Sequence, residues 1–370
     1  MKVLSLFDGM SCGMIAFIGA GISVERYVAY EIDKYAIKTS KHNFPQIEHK
    51  GDVFDADFTQ YKDFDYLIGG SPCTYWSIAQ SPDKRETTAS GMGWELFSQY
   101  IRALKEAKPK YFIYENNKSM SNAIKQSITN TFGFEPILIN SALVSAQNRE
   151  RLYWVGIRQD DGTYAKANVE MPCDKGIMVK DILDCVFQNE GIAEPICVAD
   201  NGKSHTLKAQ YYKNGTANFI TNGGFKATAV AKPVKVGSLP RPNGELSTSQ
   251  AFRIYDENYK SVTLKAQGGG SGAKTGLYAT TDVPIYEVKN GTITIKGKQY
   301  PINLKDGFYN IRKLTVSECK RLQTVPEWYK FKVSNTQAYK MLGNGWTVDV
   351  IAHIFKGLMF QKEINEIKKC

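Results

Sequence analysis

The sequence predicts an α/β fold: a mostly parallel sheet flanked by helices, followed by a smaller domain of short strands and loops. Three observations predict it. The first 160 residues alternate short apolar runs with helical patterns, the rhythm of βαβ units. After about Asp160 the texture changes to Gly, Thr, Asn, Lys and Tyr with few long helical patterns, which suits a domain that presents side chains on loops. From Leu314 helical character returns.

Taken in order, Lys2–Leu6 reads as a strand, then a glycine-bearing turn, then a helix through Ile18. Residues 27–31 form a second strand and 34–42 a helix. Residues 66–68 and 111–114 are further strands, with a helix across 95–106 between them. Residues 152–157, after the polar run 147–151, read as a late strand of the same sheet. The predicted domains are 1–165, 166–312, and a C-terminal segment 313–370 that returns to the first domain. Inside the second, Thr206-Leu-Lys-Ala-Gln210 recurs as Thr263-Leu-Lys-Ala-Gln267, read as two similar strand edges. The returning helical patterns cover 315–323 and the residues after Thr347.

Composition excludes several classes. With 370 residues, 42% hydrophobic and 23% charged, the chain can bury a large core. No stretch approaches the ~20 apolar residues needed to cross a bilayer, and residues 1–7 carry no charged leader, which argues against secretion. Lys and Arg outnumber Asp and Glu by 47 to 37. That surplus suits a polyanionic partner such as DNA or RNA, or simple solubility. The seven cysteines are scattered without a CxxC pair, and the four histidines do not cluster near them. A zinc site and a disulfide framework are therefore not expected, and a reducing cytoplasm is.

Three places carry chemistry. The turn Leu6-Phe-Asp-Gly-Met-Ser-Cys-Gly13 ends a strand and opens a helix, so it can bring backbone amides to a nucleotide-like ligand. Some twenty residues on, the next strand ends in Glu31, placed to hydrogen-bond ribose hydroxyls, and Gly51-Asp52-Val53 offers a third contact. The run Gly69-Gly-Ser-Pro-Cys73 follows a strand, which puts Cys73 at the carboxyl edge of the sheet, where a thiolate can act as a nucleophile. Glu115, in Tyr114-Glu-Asn-Asn117, also directly follows an apolar strand, and Gln147-Asn-Arg-Glu-Arg151 precedes another. A nucleophile, an acid and two guanidiniums would converge on one edge.

These motifs resemble those of the DNA cytosine-5 methyltransferases, in family order: Phe7-Asp-Gly, Pro72-Cys73, Glu115-Asn116, Gln147-x-Arg149-x-Arg151, Arg312-x-Leu-Thr-x-x-Glu-Cys-x-Arg-Leu-Gln323 and Gly343-Asn344. The front half is similar to the animal de novo enzymes. The back half is similar to bacterial enzymes that methylate GCGC, through Arg253-Ile-Tyr255, Thr263-Leu-x-Ala-x-Gly-Gly-Gly270 and Ala273-Lys-Thr-Gly276. The resemblance implies a Rossmann-like class I S-adenosylmethionine-dependent methyltransferase domain facing a target-recognition domain, of the bacterial or phage type found in restriction–modification systems or alone, and monomeric. It also implies a cytoplasmic protein that binds double-stranded DNA and needs no metal.

The resemblance implies roles as well. Cys73 adds to carbon 6 of a cytosine flipped out of the duplex, Glu115 meets ring nitrogen 3, and Arg151 with Arg149 holds the base oxygen. S-adenosylmethionine is held by Phe7, Asp8, Gly9, Met10, Cys12 and Gly13, by Glu31 and Ile32, by Asp52 and Val53, by Ser71, Pro72 and Leu96, and by Asn344, Gly345 and Trp346. DNA is met by Ser77, Gln250, Arg253, Thr263, Gln267, Gly268, Gly269 and Gly270, with a GC- or CG-containing target. Residues 74–93 correspond to the family's mobile loop. The sequence departs from the family pattern at Ser11-Cys12, Thr74, Asn117 and Gly345-Trp346, none of which removes a catalytic group. The alternatives are a cytosine-5 methyltransferase of transfer RNA and a catalytically silent DNA-binding homologue.

Overall fold

The computed structural model describes residues 1–72, 74–77, 81–184, 204–205, 208–209, 235–238, 240, 243–246, 253–255, 264–265, 285–295, 297–310 and 314–367. In chain order the elements are β1 (Lys2–Leu6), α1 (Cys12–Ala20), β2 (Arg26–Tyr30), α2 (Lys34–Asn43), β3 (Glu48–Gly51), β4 (Tyr66–Gly69), α3 (Met92–Ala107), β5 (Tyr111–Asn117), α4 (Asn122–Phe132), β6 (Ile137–Asn140), β7 (Gln147–Asn148), β8 (Glu150–Arg158) and β9 (Tyr164–Lys166). There follow β10 (Ser204–His205), β11 (Lys208–Ala209), β12 (Lys235–Ser238), β13 (Arg253–Tyr255), β14 (Leu264–Lys265), β15 (Ile285–Lys289), β16 (Thr292–Ile295), β17 (Lys298–Pro301), β18 (Gly307–Asn310), α5 (Val316–Leu322), α6 (Asn335–Asn344) and α7 (Val348–Ile367).

The chain divides into two compact units, Met1–Asn140 with Glu150–Pro172 and Val348–Cys370, and Ser141–Arg149 with Cys173–Thr347. The division differs from the expected one in the return. Residues 314–347 fall in the second unit, and the first is rejoined only at Val348. The physical reason lies in the partners of α5: Glu318 accepts the amide of Asp184 (2.9 Å), and Arg321 pairs with the Asp184 carboxylate (2.6 Å), so that helix is tied to the segment before it.

In the first unit one sheet runs β3-β2-β1-β4-β5-β8-β6, with β9 on β8. The pairs from β3 through β5 are parallel, and β8 runs antiparallel to β5, β6 and β9. Strands of such a sheet are covered on both faces and so read as nearly continuous apolar runs. Val3, Leu4, Leu67, Ile68, Phe112 and Ile113 are fully buried. On one face Tyr66 meets Phe17 of α1 and Phe355 of α7, and the two phenylalanines stack with centroids 3.9 Å apart. On the other, Phe112 and Tyr114 pack with Tyr100 of α3 and Phe132 of α4. The buried residues of α3 include Phe97, Tyr100, Leu104 and Ala107, the spacing of one helical face.

Strand order reverses between β1 and β4, because β2 and β3 lie to one side and β5 to the other. Open α/β sheets bind ligands at the carboxyl ends of the strands flanking that reversal. In the second unit β15–β18 form an antiparallel sheet of order β17-β16-β15-β18, and β12 pairs antiparallel with β13. The repeated pentapeptides meet each other. Strand β11 from the first copy pairs parallel with β14 from the second, Lys208 opposite Leu264 and Ala209 opposite Lys265.

Candidate active site

The turn after β1 is built from left-handed backbone. Phe7, Gly9 and Ser11 have φ of 56°, 58° and 62°. What holds the two non-glycine residues there is Asp8, whose carboxylate turns inward and accepts from Ser5 Oγ (2.6 Å), Tyr27 OH (2.7 Å) and Ser11 Oγ. Burial raises the pKa of Asp8, and the three hydroxyls oppose it. Met10, Cys12 and Gly13 are also buried. Around Gly9, by contrast, a Cβ would meet no atom of the described residues within 4 Å, so backbone faces open space among them.

Glu31 follows β2 and ties this turn to the next. Its Oε2 accepts the Gly9 amide (2.7 Å), and Oε1 accepts those of Ile32 and Asp33 (2.8 Å each). Burial raises its pKa, against the pull of those backbone donors. Ile32 beside it is 70% exposed, a large apolar side chain left open next to a carboxylate. Farther along, Asp52 accepts the Phe54 amide (3.0 Å), the carbonyl of the buried Val53 accepts from Arg102 (2.8 Å), and Leu96 packs against the core.

A polar chain runs inward from the same turn. Ser11 Oγ lies 2.6 Å from Ser40 Oγ, which lies 3.0 Å from His49 Nε2. Ser11 gives its single proton to Asp8, so it accepts from Ser40, and Ser40 in turn accepts from His49 Nε2–H. The buried Nδ1 of His49 is then a bare lone pair, without a hydrogen-bond partner among the described residues. Burial, with Lys41 nearby, lowers the pKa of His49 to about 4.

The end of β4 comes flush against β1 and β5 because Gly69 and Gly70 carry no side chain. A Cβ on Gly69 would lie 2.5 Å from the Leu6 carbonyl oxygen; on Gly70 it would lie 2.6 Å from the Glu115 carbonyl oxygen and 2.8 Å from Oε2. The buried Ser71 hydroxyl shares a 2.6 Å hydrogen bond with Tyr114 OH, and Asn116 Nδ2 donates to the Ser71 carbonyl (3.2 Å). Pro72 is exposed. Glu115 sits on β5, where every residue is buried. Its carboxylate pairs with Arg151 Nε at 3.0 Å, with side-chain exposures of 12% and 13%, too buried to count as a surface pair. In the register Glu115 faces Tyr153 and Asn117 faces Arg151, so acid and base are diagonal neighbours on one face.

The motif residues thus sort into two groups. The first unit brings together Phe7–Gly9, Glu31, Ser71–Pro72, Glu115 and Arg151 by their places at strand ends. The second gathers Gln147, Arg149, Gln323 and residues 343–347. Arg149, 3% exposed, donates to the carbonyls of Gly343 (3.3 Å) and Gly345 (2.9 Å). Gln147 Nε2 donates to Leu322 O and Gln323 Oε1 (3.0 Å each), and Thr347 donates to the same Oε1 (2.8 Å). Asn344 is exposed, while Gly345 and Trp346 are partly buried. Ser77 is partly buried, and Arg253 lies on β13 opposite Ser238. Cys73, Gln250, Thr263, Gln267, Gly268, Gly269 and Gly270 lie outside the described residues.

Sequence reasoning missed a cluster just beyond Cys73. Glu86 accepts from the Trp76 indole (3.0 Å), and Arg85 donates to the carbonyls of Trp76 (3.3 Å) and Ser119 (2.7 Å). The signal available was Trp76 itself, the one tryptophan in the mostly polar stretch 74–93. Among the described residues no cluster of His, Cys, Asp or Glu could hold a metal ion, and no helix is long and apolar enough to cross a membrane.

The family described as C-5 cytosine-specific DNA methylase matches residues 1–359. The chain is 26% identical to the orphan methyltransferase M.SPRI of Bacillus phage SPR, across 97% of each chain. It is 29% identical to the type II methyltransferase M.FnuDI of Fusobacterium nucleatum, across 100% of this chain and 97% of that one. Among solved structures, the Dnmt2 methyltransferase of S. pombe aligns over 98% of both chains with a TM-score of 0.56 and 13% identity, a likeness of fold.

Proposed function

Because the chain belongs to the C-5 cytosine-specific DNA methylase family and is a DNA cytosine methyltransferase, we propose that Cys73 is its nucleophile, with Glu115 and Arg151 completing the site around a cytosine turned out of duplex DNA. Turning the base out costs a few kcal/mol of stacking and pairing. The observation that carries the reading is the Glu115–Arg151 pair, a nearly buried acid and guanidinium beside Gly70, where a Cβ would lie 2.8 Å from Glu115 Oε2.

Carbon 5 of cytosine is a poor nucleophile until a thiolate adds to carbon 6 and makes it an enamine carbon. Cys73 forms that bond. Glu115 meets ring nitrogen 3 and offsets the charge that builds as sulfur adds. Arg151 holds the Glu115 carboxylate in place and presents its remaining N–H groups to the base oxygen. Loss of the carbon-5 proton then expels the thiolate. Arg149 acts at one remove, by holding the backbone of residues 343–345.

The residues around the β1 turn suit S-adenosylmethionine. Open space beside Gly9, a carboxylate at Glu31 fit for ribose hydroxyls and the exposed Ile32 fit for a purine face make up a nucleoside cradle. When bound, the cofactor supplies the methyl group as a sulfonium. Recognition of a GC- or CG-containing duplex falls to Gln250 and Arg253, the latter by a guanine contact that suits a guanidinium.

Transfer of labelled methyl from S-adenosylmethionine to duplex DNA tests the reading. Wild type should place the label on carbon 5 of cytosine, Cys73→Ser should place none, and Glu115→Gln should slow transfer roughly 100- to 1000-fold. Full transfer by Cys73→Ser would end the assignment of the nucleophile.

A further inference from the structure

We propose that Glu86 is a positioning residue that fixes the chain on the carboxyl side of Cys73. The proposal rests on the reading of Cys73 as nucleophile. Trp76, three residues beyond it, is fully buried, and a buried indole N–H needs an acceptor. Glu86 Oε2 provides it at 3.0 Å and also accepts the amide of Gly93 at 3.2 Å. Gly93 lies in the first turn of α3, so the carboxylate sits at the positive end of a 16-residue helix whose own N-cap, Gly91, has no side chain to offer.

The backbone closes the same clasp. The Glu86 amide donates to the Tyr75 carbonyl (2.9 Å), and Arg85 bridges the carbonyls of Trp76 and Ser119. Two glycines make room for the carboxylate. A Cβ on Gly91 would lie 2.6 Å from Glu86 Oε1; on Gly93 it would lie 2.5 Å from Trp76 Nε1 and 2.6 Å from Glu86 Oε2. Residues 74–77 are thereby referenced to α3, which itself packs on β4 and β5 through Tyr100, whose hydroxyl donates to the Ile113 carbonyl (2.9 Å). A nucleophile displaced by about 1 Å loses roughly a hundredfold in rate, which is why its neighbour needs a rigid reference.

The test uses the full chain in single-turnover methyl transfer at saturating cofactor and DNA, comparing Glu86→Ala, Glu86→Gln and Gly93→Ala. The first and third should slow transfer roughly ten- to a hundredfold. Binding of S-adenosylmethionine, which lies at Gly9 and Glu31, should stay near wild type. Glu86→Gln keeps an acceptor for both donors and should recover most of the rate. Unchanged transfer in both Glu86→Ala and Gly93→Ala overturns the proposal, as does slowing that only parallels loss of cofactor binding. Alkylation of Cys73 by iodoacetamide, read by mass spectrometry, reports the same geometry without turnover. Its rate should change several-fold in Glu86→Ala, and an unchanged rate overturns the proposal even if wild type transfers no methyl. Failure of wild type to transfer, with altered alkylation, counts against the reading of the reaction alone.

Discussion

A carboxylate on a strand buried along its whole length needs a cation beside it, and Glu115 has Arg151. Removing one partner leaves the other in the interior without the opposite charge that offsets it. Arg151→Leu should therefore destabilise the fold by about 3 kcal/mol or more, measured by urea denaturation. The double variant Glu115→Leu with Arg151→Leu should recover a large part of that loss; if it is less stable than the single variant, the pair contributes by its packing and not by its charge. Both residues were legible in the sequence as members of ordered motifs. Arg149 was legible by type, but not its bonds to the carbonyls of Gly343 and Gly345, since nothing in Gln147-x-Arg149-x-Arg151 says that the chain passes from one compact unit to the other after Arg149. Asp8 illustrates the same limit. Its place in the turn after β1 could be read, but not that its carboxylate faces inward to three hydroxyls supplied by β1, β2 and Ser11.

Single elements were the most legible level. The strand at Lys2–Leu6 matches expectation, and those at 27–31, 66–68, 111–114 and 152–157 differ from β2, β4, β5 and β8 only at their ends. Strand β3 and helix α4 were not anticipated. Glu-His-Lys-Gly has no apolar pattern, and β3 exists because it lies at an edge against the buried β2. Elements β1, α2 and β3 are joined by the chain from Asp8 through Ser11 and Ser40 to His49, and this sets a dependence on pH. His49 is held neutral in the fold down to about pH 4, whereas an unfolded histidine takes a proton near pH 6.5. Between those values the unfolded state binds more protons, so stability falls as pH falls. For a partly exposed ring the loss is on the order of 1–2 kcal/mol. His49→Gln, which keeps a donor for Ser40, should flatten the Tm profile between pH 6.5 and 4 relative to wild type. Glu48, whose pKa is lowered to about 2 by Arg26, acts in a more acid window. An identical profile in the variant would remove His49 as the cause.

For the whole molecule, the sequence announced two domains from a change in texture but not the path between them. The chain crosses from one unit to the other four times, and the closing helix of the first unit comes from its last residues. The stack of Phe17 on Phe355, both fully buried, is where that closure is tightest. Phe355→Ala should cost about 3–5 kcal/mol in denaturant unfolding; a cost below about 1 kcal/mol would mean that α7 is dispensable to the first unit. The same stack orders events during synthesis. Helix α1 leaves the ribosome long before α7 exists, and at 5–20 residues per second the intervening ~330 residues take roughly 15 to 65 s to translate. For that interval the face of α1 that meets Phe355 has no native cover, although Tyr66 of β4 already backs Phe17 from the sheet. A nascent chain of this protein is thus a client for whatever in the cell shields exposed apolar helices, and pausing late in the message prolongs that need.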